Sequence, residues 1–116
     1  MSSIERFDVG ARLSEMAVHN GVAYLAGQVA EDATQGVIGQ TRQVLAEIDA
    51  LLAKAGTDKT RILRAQIFLA DMGDFTGMNQ AWDEWVAAGH TPPRATVQAA
   101  LARPEWKVEI VVTAAV

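Results

Sequence analysis

The sequence predicts an α+β two-layer sandwich in the order β-β-β-α-β-α-β-β, with both helices packed on one face of a mostly antiparallel sheet. Three observations carry this prediction. Short strand-like runs open and close the chain. Two stretches between them switch to apolar spacings of three and four residues, and one dense apolar run lies between those two stretches. At 116 residues, with no linker, repeat or low-complexity segment, residues 1–116 are expected to form a single domain.

The elements follow in order. Ile4 to Val9, Glu15 to His19 and Val22 to Ala26 read as strands. Asn20-Gly21 joins the second and third as a two-residue hairpin, because both residues accept positive φ. From about Val37, the residues Val37, Thr41, Val44, Leu45, Ile48, Leu51 and Leu52 mark the apolar face of a helix. Gln40, Arg42, Gln43, Glu47 and Asp49 fall on its other side. Gly56 supplies the stop. Ile62 to Ala70 reads as a central strand. Asp74 is placed to cap a second helix, whose apolar face is Phe75, Met78, Trp82, Trp85 and Val86 and which ends at Gly89. Arg94 to Leu101 and Trp106 to Val116 complete the sheet. Its face away from the helices needs cover, and the apolar set Ala95, Val97 and Ala99 implies that another subunit provides it.

Composition narrows the function classes. A net charge of −4 and the lack of a basic stripe argue against a nucleic-acid surface. The absence of cysteine excludes disulfides, thiolate nucleophiles and cysteine zinc sites. No apolar signal core or membrane-length run occurs, so a soluble cytoplasmic protein without a membrane partner is expected.

The candidate chemistry lies near the end, in His90-Thr91-Pro92-Pro93-Arg94-Ala95-Thr96-Val97-Gln98. Arg94 offers a planar fork of two parallel donors, suited to a carboxylate in a way that lysine is not. If the last two strands form a hairpin, Glu109 shares a pocket with Arg94 and is available for chemistry. The plainer alternative makes the two a cross-strand or interfacial ion pair. His19 and His90 lack ligand spacing, so no metal is expected, and His90 is placed to cap the preceding helix's last carbonyls. Ser14 has no histidine–acid pair to activate it. Gly36 and Gly39 lack the lysine of a phosphate loop. Trp82 and Trp85 read as core or interface aromatics. From the residues alone, an enzyme and a metabolite-binding module both stay open.

Several stretches carry a family resemblance. They are Leu25-Ala26-Gly27-Gln28, Phe68-Leu69-Ala70-Asp71, Asp74-Phe75 through Met78-Asn79, and above all Pro93-Arg94-Ala95-Thr96-Val97 and Lys107-Val108-Glu109-Ile110. On these the chain resembles the RidA/YjgF family of enamine/imine deaminases along its whole length, and within it the YoaB-like branch. The resemblance implies a chorismate-mutase-like sandwich assembled as a homotrimer, with active sites in clefts between subunits. It implies a small 2-imino or 2-keto acid as ligand, neither metal nor organic cofactor, and hydrolysis of a reactive imine to a 2-keto acid and ammonia. By resemblance, Arg94 binds the carboxylate and Glu109 holds the attacking water. Ser14, Ala26, Gly27 and Asn79 match positions that line the family's pocket. The sequence departs at three such positions, where Leu13 replaces a tyrosine, Ala26 a serine and Thr96 a cysteine. Arg12 adds a charge near the expected mouth. These departures bear on substrate preference more than on the fold.

Overall fold

The computed structural model describes residues 3–116. Its elements follow the predicted order. They are β1 (Glu5–Val9), β2 (Ser14–His19), β3 (Val22–Leu25), α1 (Val37–Lys54), β4 (Ile62–Leu69), α2 (Phe75–Trp85), β5 (Arg94–Gln98) and β6 (Val108–Ala115). No helix among the described residues is long and apolar enough to cross a membrane.

Two local signals act as expected. Asn20 and Gly21 both take positive φ, 51° and 78°, which matches the turn's twist to the right-handed twist of β2 and β3. Gly56 at φ 74° ends α1 in paired bonds: its N–H reaches the Ala53 carbonyl at 3.0 Å, and the Thr57 N–H reaches that of Leu52 at 3.0 Å. Those carbonyls would otherwise lack partners at the helix end.

Burial alternates along the central strands. Val108, Ile110, Val112 and Ala114 of β6 and Ala65, Ile67 and Leu69 of β4 are sealed beneath the helices. Val44, Leu45, Ile48 and Leu52 of α1 and Met78 and Trp82 of α2 complete the core. Each fully buried leucine or isoleucine stabilises the fold by about 1.5–3 kcal/mol on leaving water.

The sheet order is β1-β2-β3-β6-β4-β5, antiparallel throughout except for the parallel pair β4–β5. This corrects the expected hairpin between the last two strands, because β4 lies between them. A parallel neighbour needs a crossover, and α2 supplies it between β4 and β5.

Other differences are local. Helix α2 stops at Trp85, where Val86 turns extended at ψ 139°, and not at Gly89. Gly89 instead sits in the following turn, and His90 lies 3.2 Å from the Ala88 carbonyl, so it caps no helix. The Asp74 side chain makes no cap bond. Asp71 does so, accepting from the Gly73 N–H at 2.8 Å and opening a 3₁₀ turn that runs into α2. Gln40, expected on the polar side of α1, is completely buried.

Among the described residues, no helix covers the second face of the sheet. Tyr24 and Val97, 52% and 45% exposed, lie there with Val111 and the half-buried Phe68, which leaves an open apolar surface.

Candidate functional site

The register decides where the candidate residues point. Arg94 pairs with Ala65, and Ala65 with Val112, all on the helix-covered face. Glu109 pairs with Phe68, and Phe68 with Val97, all on the open face. Two interstrand spacings and three residues separate their backbones, or roughly 14 Å from standard sheet geometry. Within one chain, then, Arg94 and Glu109 neither share a pocket nor form the cross-strand ion pair. The ion pairs among the described residues are Arg42–Glu84 and Lys54–Asp8.

The candidates fall into two clusters. In the first, half-buried Arg94 at the start of edge strand β5 lies against α2. Its Nη1 donates to Asn79 Oδ1 at 2.8 Å, and its guanidinium carbon sits 5.2 Å from the centre of the Trp82 ring. Nε and Nη2, the side-on edge of the fork, donate to none of the described residues. Thr96, two residues on and therefore on the same face, has a buried hydroxyl with no partner among the described residues. Pro92 and Pro93 precede this strand, and the Pro93 carbonyl accepts from the Ala65 N–H at 3.0 Å, which fixes the register that aims Arg94 at α2.

The second cluster surrounds a cavity of about 520 Å³ lined by Leu13, Ala26, Gly27, Trp106 and Glu109 among others. Ser14, next to Leu13 in the chain, is half-buried and does not line it. Beyond the end of β3, Gln28 bridges to Ile110 through two backbone bonds of 2.9 and 3.1 Å, which lays Gly27 beside β6. The Glu109 side chain rests against the bare Cα of Gly27. A methyl group there would stand 2.9 Å from Glu109 Cδ and nearer still to Oε2. A side chain fits here only if the Glu109 carboxylate moves aside; the backbone angles of Gly27 place no such demand.

Sequence reasoning missed several of the surrounding groups. Glu15, Glu31 and Glu47 join Glu109 around the cavity, and among the described residues no lysine or arginine lines it. The lining around Glu109 is therefore negatively charged. Gln40 governs the loop that leads into β6. Its Nε2 donates to the carbonyls of Gln35 at 2.9 Å and Glu105 at 3.1 Å, and its Oε1 accepts from the Lys107 N–H at 3.0 Å. A glutamine between Gly39 and Thr41 on a helix gave no hint of this, since polar residues in helices usually face water. Trp82 was visible as an apolar-face residue, but its place under Arg94 depends on the β4–β5 pairing. Among the described residues no cluster of histidine and carboxylate side chains is arranged to hold a metal ion.

Comparison with known proteins shows the family and the fold. The family model described as Endoribonuclease L-PSP matches residues 3–116. A RutC family protein of Haemophilus ducreyi is 58% identical over 113 residues, covering 97% of each chain. The RutC family protein YoaB of Escherichia coli is 51% identical over 114 residues, covering 98% of this chain and 99% of the other. The crystal structure of NMB1025, a member of the YjgF protein family from Neisseria meningitidis, superposes with a TM-score of 0.93 at 50% identity, covering 97% of this chain and 94% of that one. Matched over almost its whole length and sharing the fold, the chain belongs to the Endoribonuclease L-PSP family, also called the YjgF/RidA family.

Proposed function

We propose that this protein is an enamine/imine deaminase that hydrolyses small 2-imino acids to 2-keto acids and ammonia. The observation that carries the reading is the Arg94 fork. It is half-buried and braced through Nη1 by Asn79, and its Nε–Nη2 edge remains available to a carboxylate. Thr96 shares that face of β5, but its hydroxyl is sealed from solvent and does not reach the ligand.

Glu109 is the other half. An imine carbon next to a carboxylate is already electrophilic, so the protein's task is to place water and manage protons. Water held by Glu109 adds to that carbon while Glu109 takes its proton. The nitrogen, protonated, leaves as ammonia when the tetrahedral adduct collapses, and the carbon becomes the keto carbonyl. Leu13, Ala26 and Gly27 wall the space around Glu109.

Because Arg94 and Glu109 point from opposite faces of one sheet, a complete site needs the Arg94 cluster of one subunit beside the Glu109 cavity of another. A homotrimer with sites between subunits meets that need, and the open apolar face around Tyr24 and Val97 is the surface it would bury. The name of the matching family model points to RNA cleavage. Four glutamates around the cavity, with no basic residue among the described residues lining it, oppose a polyanionic phosphate backbone, whereas a small acid brings one carboxylate that Arg94 of a neighbouring subunit would neutralise.

The test generates 2-iminobutyrate with an amino-acid oxidase and traps what remains with semicarbazide. The protein is expected to lower the trapped imine. Arg94→Ala should abolish turnover and keto-acid binding, whereas Glu109→Gln should keep binding and lower turnover by about 10²–10⁴-fold. If the wild-type protein leaves trapping unchanged, the hydrolytic reading falls and a binding module that holds keto acids on Arg94 replaces it.

A further inference from the structure

We infer that Trp82 is a positioning residue for Arg94: its indole face holds the guanidinium flat and leaves the Nε–Nη2 edge free for the substrate carboxylate. The inference rests on the reading of Arg94 as the carboxylate anchor and adds what orients it.

Asn79 and Trp82 lie three residues apart on α2, so their side chains stand side by side on one face of the helix. Both meet the same guanidinium: Asn79 accepts from Nη1 through its amide oxygen, and the guanidinium carbon lies over the Trp82 ring. One contact fixes which donors are used and the other fixes the tilt. Together they reduce a long, flexible side chain to one presentation before any ligand arrives.

The indole is itself held from behind. Trp82 is 5% exposed and packs at 5.3 Å against Trp85, three residues further along. Trp85 in turn donates from Nε1 to Asp49 of α1 at 2.9 Å, and Lys59 lies 5.2 Å over its ring. The run of contacts Lys59–Trp85–Trp82–Arg94, with the two indoles tilted 55° to each other, thus leads from α1 and its following turn to the candidate site. A ring only 5% exposed and packed against Trp85 has little room to swing away from Arg94. A core tryptophan needed only to fill volume would not require a cation on its open face.

The experiment measures 2-ketobutyrate binding by calorimetry and imine turnover for Trp82→Phe, Trp82→Leu, Arg94→Ala and Arg94→Lys, with circular dichroism to verify folding. Phenylalanine keeps most of the volume but gives a weaker cation–π contact. Trp82→Phe is therefore expected to raise KM and the keto-acid Kd about threefold to fivefold, with kcat within twofold. Trp82→Leu should raise both by more. In the Arg94→Lys background the effect of Trp82→Phe should shrink below twofold, because the planar group it orients is gone. Unchanged binding in Trp82→Phe, or the same loss in both backgrounds, overturns the positioning role while leaving Arg94 as the anchor. Undiminished binding in Arg94→Ala overturns the anchor itself, and the positioning role with it.

Discussion

Replacing Gly27 with alanine probes the Glu109 cluster with the smallest available change. The added methyl would stand 2.9 Å from Glu109 Cδ and 3.1 Å from Cγ, and nearer still to Oε2. Ordinary carbon contacts lie at about 3.5–4.0 Å, so the end of the side chain must move by at least ~0.6 Å. Because Cγ and Oε2 are crowded together, rotation carries the carboxylate oxygens roughly 1 Å from their present position. A displacement of that size at a reacting group costs about 100-fold in rate, or about 2.7 kcal/mol.

The fold should tolerate the change. Gly27 does not use positive φ, and alanine lowers the entropy of the unfolded chain, worth about 0.4–1 kcal/mol in favour of folding. The imine-trapping assay should therefore show kcat down about 100-fold. The Tm should stay within a few degrees, and 2-ketobutyrate should bind as before, since its carboxylate is held by Arg94 and not by the displaced Glu109. A kcat within threefold of wild type would refute the placement of Glu109 at the reacting centre. Equal losses of kcat and keto-acid affinity would refute the separation of the two roles.

Two further predictions concern the scaffold. Gln40→Leu removes the side chain that satisfies the carbonyls of Gln35 and Glu105 and the amide of Lys107, so it should destabilise the fold by about 2–4 kcal/mol in urea titrations. A loss below about 0.5 kcal/mol would show that water replaces those bonds. Asp58 accepts from the hydroxyl and amide of Thr60, which holds its carboxyl below the ordinary value of 3.8. Its folded-state value is depressed, so its contribution is present above that ordinary value and lost as pH falls through the lower folded one. The stability advantage of wild type over Asp58→Asn should accordingly be constant from pH 7 to 5 and narrow below pH 4. A difference that does not change with pH would assign the effect to geometry alone.

The sequence by itself determined the order and nature of the elements, because these depend on neighbours within a few residues. Val44, Leu45, Ile48 and Leu52 recur at helical spacing and are buried as a stripe, while Val108, Ile110, Val112 and Ala114 alternate and are buried as a strand face. Asn20-Gly21 and Gly56 carry their backbone conformations in their own chemistry. Alternation also placed Arg94 and Thr96 together on one side of β5, whichever strand lay next to it. It could not say which side faced the helices.

Tertiary structure alone decided that question, since strand order follows from the total surface buried by non-local pairing and not from any local period. A clue was present: nine residues separate Gln98 from Val108, too many for a tight hairpin, and α2 between β4 and β5 is the crossover that a parallel pair demands. With β5 at the edge beside β4, Arg94 turns to Asn79 and Trp82, and Glu109 turns to Gly27 on the opposite face. The burial of Gln40 has the same origin, because its partners at Gln35, Glu105 and Lys107 converge only once the loops have packed against α1. Periodicity assigns a residue to a face of its own element, but the partner of that face is fixed by contacts many residues away.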